Sequence, residues 1–435
     1  MDIRIIRSQV LLGSFCLCLA CAEDSTTSSM PDLSVTPDAS IDAALLQDAE
    51  LVVDADTSSL PPPNWMNPML IDGPQIDGVV IQPALTFDGS STLHLAFSVL
   101  NPERLGIYTQ TYNVETGIKN EPVNLVAEPV GIHNEPDICS LSSGGAAVVW
   151  SVDTQDGSRN NLQIRYRVLD ATGTPINARD QIVETDVDGN HWLGSVTCNG
   201  RNEFVIVGAR SDPNDTFGVF AQRFDHMGTS IGMATQVNDD PEGGQVYPVI
   251  TALPDGVNHR YAIAYEDRPS ESNNVTRVAI RFFDDNLQPT TSVFAVSADG
   301  IEATQPSIVH TGIEHGVVVA ATVEGERIGL FRVDPTDQSS RYTRGSDERL
   351  SYNTDIGAFD GDPVYSFLRG SGREVDVVLG RHDFDVDGLS ETLLAQGWYP
   401  PYQTALAQSG SEIALAVTER LDSDRFQLQL YRFSP

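Results

Sequence analysis

Two stretches decide the reading of this chain: Gln82–Ser98, QPALTFDGSSTLHLAFS, and Glu135–Ser151, EPDICSLSSGGAAVVWS. In each, a proline near the start opens an apolar strand, a Gly/Asp/Ser turn follows, and a second, strongly apolar strand returns. The same cadence recurs in YPVITALPDGVNHRYAIAYED from Tyr247 and QPSIVHTGIEHGVVVAAT from Gln305. Third strands match as well: NLQIRYRVLDATG from Asn161, TFGVFAQRFDHMG from Thr216 and VTRVAIRFF from Val275, often running through Arg-aromatic-Asp into a turn. A fourth strand completes the unit. Openings fall near Pro83, Pro136, Gly194, Pro248, Pro306, Thr354 and Gln403. That spacing, about 50 residues, suits a four-stranded propeller blade and is too long for most solenoid repeats. Strands that alternate apolar and polar, or run apolar for several residues, are those of twisted sheets packed face to face.

The expected fold is therefore all-β, a seven-bladed β-propeller over residues 64–435. The seventh unit stops at its third strand, RFQLQLYRFSP, whereas one spare strand-like segment, Met69–Asp72, precedes the first unit. Its offset from Pro83 repeats the offset of Val126, Val183, Val237 and Ala295 from the openings that follow them. Pairing of 69–72 with 426–433, antiparallel, is expected to close the ring and cover an exposed edge.

Arg4 and Arg7 precede the apolar run VLLGSFCLCLA (Val10–Ala20), which has signal-peptide length and is too short to span a bilayer. Leu19-Ala20-Cys21 resembles the lipobox of bacterial lipoproteins, with Cys18 where leucine is usual. The resemblance implies cleavage before Cys21 and lipidation of Cys21; an ordinary secretory signal cut elsewhere is the alternative. Residues 22–63 carry nine acidic residues and no basic one, and end in Pro61-Pro62-Pro63. Such a segment cannot bury a core and is expected to be a disordered tether, holding the body roughly 35–40 Å from a membrane. It is similar to the tethers of lipoproteins from myxobacteria and their relatives, and the repeats resemble propeller-type repeats of secreted and surface lipoproteins of Gram-negative bacteria. Ala22 after the cysteine implies sorting to the outer membrane.

Charge narrows the partners. There are 61 acidic and 26 basic residues, net −35, and Lys119 is the only lysine. Such a surface repels nucleic acid and anionic headgroups, so the expected membrane contact is through the lipid anchor alone. No G-x-S-x-G, H-E-x-x-H, P-loop or Asp-box motif is present, and the eight histidines are scattered singly. Asp383, Asp385 and Asp387 alternate ahead of Gly388 in a run suited to a hard cation such as calcium. Aligned on Asp225 and Gly228, Asp385 and Gly388 read instead as turn residues, and no cofactor is expected. Cys139 and Cys198, the two cysteines of the body, are a candidate disulfide in an oxidising compartment, with buried free thiols as the alternative. The leading expectation for function is a non-catalytic binding or scaffold propeller for a protein or glycan. The alternative is a carbohydrate-active enzyme of glycosidase or lyase type.

Overall fold

The computed structural model describes residues 69–433, apart from positions 72, 75, 77, 90, 299 and 411 and the stretches 101–104, 128–129, 156–160, 184–188, 213–214, 240–242, 255–257, 269–274, 313–315, 347–350, 372–373, 385–387, 399–402 and 421–425. The signal segment, Cys21, the 22–63 tether, Asp385 and Asp387 lie outside the described residues.

The described strands recur in fours. After β1 (Met69–Ile71) come β2 (Val79–Phe87), β3 (Thr92–Leu100), β4 (Gly106–Asn113) and β5 (Val123–Asn124), then β6 (Ile132–Ser140), β7 (Ala146–Asp153), β8 (Leu162–Leu169) and β9 (Gln181–Ile182). The third group is β10 (Asn190–Cys198), β11 (Glu203–Asp212), β12 (Asp215–Asp225) and β13 (Ser230–Gln236); the fourth is β14 (Gly244–Ala252), β15 (Tyr261–Arg268), β16 (Arg277–Phe283) and β17 (Phe294–Ala295). The fifth is β18 (Ala303–His310), β19 (Val317–Val323), β20 (Arg327–Asp334) and β21 (Ser339–Arg344), and the sixth β22 (Ser351–Phe359), β23 (Asp362–Ser371), β24 (Glu374–Asp383) and β25 (Gly388–Trp398). Three more, β26 (Thr404–Ser409), β27 (Glu412–Arg420) and β28 (Phe426–Phe433), end the chain. Neighbours within a group are antiparallel, an all-β, propeller-like architecture of repeated four-stranded sheets.

β1 takes the place of a fourth strand beside β28. The pair is antiparallel, with Met69 opposite Arg432, Leu70 opposite Tyr431 and Ile71 opposite Leu430. A single parallel pairing of Val79 with Phe426 joins this group to the first. The side chain of Lys119 reaches the carbonyl of Gly73 at 3.4 Å. Gly73 must be glycine for a steric reason: a Cβ there falls 1.9 Å from the carbonyl oxygen of Leu428.

Apolar residues are buried on both faces of the middle strands, because each sheet is sandwiched between two others. β19, VVVAATV, is buried along its whole length, and so is β7 up to its last residue. The core is divided accordingly into clusters that each straddle two successive sheets. Ile164 and Tyr166 of β8 pack with Phe204 and Phe220, and Leu330 of β20 with Phe367 of β23. One cluster joins the two ends of the chain, with Leu95 and Phe97 of β3 against Ala414, Ala416, Leu428 and Leu430.

The aspartate that follows a third strand, in Arg223-Phe224-Asp225 and at the matching Asp170 and Asp284, caps the turn with its side chain. Asp170 Oδ1 accepts from the backbone N–H of Thr172 and Thr174, and Asp225 Oδ1 from Met227 and Thr229. Asp284 does the same for Asn286 and Gln288. These are Asx turns, in which a short carboxylate replaces a backbone acceptor.

One sequence expectation is corrected. The prolines expected to open four of the units sit in mid-strand: the first strands begin at Val79, Ile132, Gly244 and Ala303, upstream of Pro83, Pro136, Pro248 and Pro306. The ladder slips at each of these places, between Ile81 and Ala84, Asn134 and Asp137, Val246 and Val249, and Thr304 and Ser307. A bulge interrupts the ladder, so a residue with no N–H is tolerated there.

Candidate functional site

The bulges gather the polar chemistry of the fold. First strands contact one another in the order β2, β6, β10, β14, β18, β22, β26, and β26 also contacts β2. Six of them carry a bulge whose leading residue has a left-handed backbone: Gln82, Glu135, Leu193, Tyr247, Gln305 and Asn353, with φ between 51° and 55°. None is glycine, and four precede proline, a position that disfavours anything but extended backbone. Strained backbone of this kind costs of order 1–3 kcal/mol per residue and persists only where the surroundings over-determine it.

Neighbouring sheets supply that restraint. The N–H of Glu135 donates to Gln82 Oε1 at 3.0 Å, and the same oxygen accepts Ser98 Oγ at 3.0 Å. The N–H of Leu193 donates to Ser151 Oγ at 3.0 Å, while the Ser151 hydroxyl is hydrogen-bonded to the Glu135 carboxyl. The N–H of Gln305 donates to Glu266 Oε1 at 2.8 Å, whose other oxygen holds Arg268 at 2.8 Å. Each strained residue named here is thus fixed by a polar side chain of the preceding sheet.

Two residues beyond the bulge leaders stand Asp137 and Asp355. Asp137 accepts the N–H of Ile138 and, from β10, the N–H of Val196 and Ser195 Oγ, all at 2.8 Å. Asp355 accepts the N–H of Ile356 at 2.9 Å, Ser307 Oγ at 3.3 Å and, from β26, the N–H of Leu406 at 2.7 Å. Thr197 Oγ1 accepts the N–H of Ala252 in the same fashion at 3.1 Å. These side chains satisfy donors on the open edges of first strands. Burial raises the pKa of both aspartates, that of Asp355 to about 6, and the charge of Asp137 adds to the effect on Asp355.

Glu135 differs from them. Burial lifts its carboxyl from the usual range to about 7, and the Ser151 hydrogen bond only partly offsets this. Among the six bulge leaders it is the only acid. Its strand, IHNEPDICS, is pinned on both sides: by Gln82 of β2, by Asp137 to β10, and by Cys139, which is bonded to Cys198 of β10 with Cα atoms 5.5 Å apart. His133, on the same strand, accepts Trp150 Nε1–H at Nδ1 (3.1 Å), so its Nε2 carries the proton and donates to the Val130 carbonyl at 3.2 Å. Burial and the charge of Arg165 leave the ring neutral, with a pKa of about 4, against the opposing Val130 hydrogen bond and the charge of Asp180. A carboxyl near neutral pKa, held rigid in a strained backbone, is fitted to give and take a proton at physiological pH.

In the sequence Glu135 stands only as part of a repeat. The signal was there: Gln82-Pro83, Glu135-Pro136, Tyr247-Pro248 and Gln305-Pro306 align, and one of the four carries an acid. Of the aspartates considered for calcium, only Asp383 is described. It ends β24 opposite Gly388, and among the described residues no group of three or more His, Cys, Asp or Glu side chains is arranged to hold a metal ion.

No protein-family model matches the chain, and no curated protein matches it. Solved structures do share the fold. A polysaccharide lyase of the PL25 ulvan lyase family superposes with a TM-score of 0.57 at 10% identity, covering 83% of this chain and 95% of that one. A protein of unknown function from Dyadobacter fermentans gives 0.52 at 10% identity, covering 86% of this chain and 100% of that one. An α-L-arabinanase of Penicillium chrysogenum in complex with arabinobiose gives 0.50 at 13% identity, covering 76% and 98%. At these identities the likeness is one of fold. The expectation of a non-catalytic scaffold is nevertheless corrected: two of these three neighbours of the same architecture are enzymes acting on carbohydrates.

Proposed function

We propose that the protein is a carbohydrate-active enzyme that cleaves glycosidic bonds, with Glu135 as its general acid. The observation that carries this is Glu135 itself, a carboxyl raised to about 7 and fixed in a left-handed bulge by Gln82 of the neighbouring sheet. Protonating a leaving-group oxygen at neutral pH requires an acid of this kind, and a second carboxyl group completes the pair. Asp137 and Asp355 lie in the same ring of first strands, but each carboxyl is occupied by three donors and serves the fold. The fold likeness to a lyase and an arabinanase supports the substrate class.

The reading includes a ring of seven blades closed by β1. Its support is the cycle of first-strand contacts returning from β26 to β2, the core cluster shared by the chain ends and the β1–β28 ladder. It also includes export, lipidation at Cys21 and residence at the outer membrane, which rest on the lipobox-like Leu19-Ala20-Cys21 and the acidic segment after it.

Activity is tested on a panel of neutral and acidic polysaccharides by reducing-end release and by absorbance of unsaturated products. Glu135→Gln is expected to lose 10²-fold or more while keeping its far-ultraviolet circular dichroism; a variant as active as the parent on a cleaved substrate rejects the assignment. Unsaturated products would place the reaction among lyases instead. Cys21→Ala is expected to leave the membrane fraction, and a processed, membrane-bound variant rejects the anchor.

A further inference from the structure

His94, the third residue of β3, is 1% exposed, and neither of its ring nitrogens has a hydrogen-bond partner among the described residues. A neutral imidazole carries one N–H, so a donor is buried here unsatisfied, which native structures mostly avoid. The ladders set His94 between Thr86 of β2 and Thr111 of β4. Alternation puts it on one face of its sheet with Ala96 and Ser98, and Ala96 packs with Ala146, Val148 and Trp150 of β7. His94 therefore lies in the seam between the first two sheets. The seam is tight at this end. Asn120 Nδ2 donates to Thr111 Oγ1 at 2.7 Å and to the Thr172 carbonyl of the facing turn at 3.2 Å. A Cβ on Gly173 would fall 2.9 Å from the Thr111 methyl group. Further along the same seam, Gln82 holds the N–H of Glu135. Burial holds the His94 pKa below the usual 6.5, and the charge of Asp88, one residue past β2, opposes this. Other ionisable groups along the seam are engaged elsewhere: Asp170 with the N–H groups of its own turn, Arg165 with Asp180, Arg167 with the Leu125 and Asn177 carbonyls, and His133 with Trp150.

We propose that His94 is an acid-sensitive wedge: once protonated it must reach water, and the seam between the first two sheets opens at this end. An imidazolium carries two N–H donors and a full charge, and a buried place without an acceptor does not hold it. The closed seam prefers the neutral ring. Its stability is therefore complete above pH 6.5 and is lost as pH falls below 6.5 towards the lowered value of the folded protein. Opening also frees the backbone of Glu135 from Gln82, whether or not Glu135 is catalytic.

The experiment is hydrogen exchange of the intact protein, read by mass spectrometry at pH 7 and pH 5 and corrected for the intrinsic exchange rate at each. Peptides covering β3, β4 and residues 170–176 are expected to lose protection at pH 5, by up to about 30-fold, the limit set by one proton over roughly 1.5 pH units. His94→Gln and His94→Phe, uncharged at both pH values, are expected to keep it. Glu135, Asp137 and Asp355, whose pKa values burial raises, act in the opposite sense. They are common to all three proteins, so the difference between parent and variants belongs to His94. Equal loss of protection in parent and variants overturns the proposal. So does a parent whose segments are as protected at pH 5 as at pH 7, a result that needs no variant to fold.

Discussion

Replacing Glu135 by glutamine should stabilise the protein above neutral pH and leave it little changed in mild acid. Burial raises this carboxyl from 4.5 to about 7. Between those values the native state holds a proton that the unfolded chain has released, so stability falls as pH rises through the window. Two and a half units at 1.36 kcal/mol each set an upper bound of about 3 kcal/mol, reached above pH 7. Glutamine is neutral throughout, has the same shape, and can keep a hydrogen bond to Ser151. The variant should therefore gain up to about 3 kcal/mol over the parent at pH 8, and the gain should shrink towards zero near pH 4.5. Asp137 and Asp355, also raised by burial, impose a fall of the same sign on both proteins, so the difference between the two isolates Glu135. Urea unfolding followed by tryptophan fluorescence, at half-unit steps from pH 4.5 to 8, measures it. A stability difference that does not change with pH would refute the argument that Glu135 is protonated by burial. A gain in stability alongside lost glycan cleavage is the pattern expected of an active-site acid held at a cost to the fold.

Three other outcomes follow from the same geometry. Opening the Cys139–Cys198 link, by Cys139→Ser with Cys198→Ser, frees a loop of 59 residues and should cost about 4 kcal/mol; full alkylation of both thiols in the oxidised, denatured parent would reject the link. Gly73→Ala places a methyl group against the Leu428 carbonyl and should lower the urea midpoint as much as deleting residues 64–75 does, roughly 2–4 kcal/mol for a three-residue ladder and the packing of Ile71. An unchanged midpoint in both variants would mean that β1 does not hold the ends together. Deleting 22–60 should leave the midpoint unchanged.

Periodicity made the sheets legible, because strands buried on both faces must be apolar at every position, and the repeat of QP, EP, YP and QP marks the same point in four of the units. The offset of Met69–Asp72 made the end pairing legible for a related reason: a strand left over at one end matches a strand missing at the other. The bulges were not legible. A residue before proline is read as extended, yet Glu135 and Gln305 adopt φ of 53°. What stabilises that conformation is a side chain from the preceding sheet, Gln82 for one and Glu266 for the other, more than 35 residues away in the chain. Nor could burial of Glu135 be read locally, since it depends on packing against β7 and the neighbouring first strands.

The polar groups around the first strands divide by what they satisfy. Asp137, Asp355 and Thr197 each take up a backbone donor of the next sheet, and a carboxylate with three donors has little capacity left for a substrate. Their raised pKa values report burial, and alone they would mark a structural seam as readily as an active site. Glu135 makes one side-chain hydrogen bond that bears on its charge, and its own backbone is what the neighbouring sheet restrains. Rigid backbone with a side chain left available is the arrangement a proton donor needs. Were Glu135 only another tie, its carboxyl would be expected to hold a backbone N–H of β10, as the Asp137 carboxyl holds Val196; instead Ser151 takes the Leu193 N–H, and burial, against the opposing Ser151 hydrogen bond, keeps the proton on the glutamate. The division of labour between Ser151 and Asp137 is therefore what makes β6 the strand on which chemistry is expected.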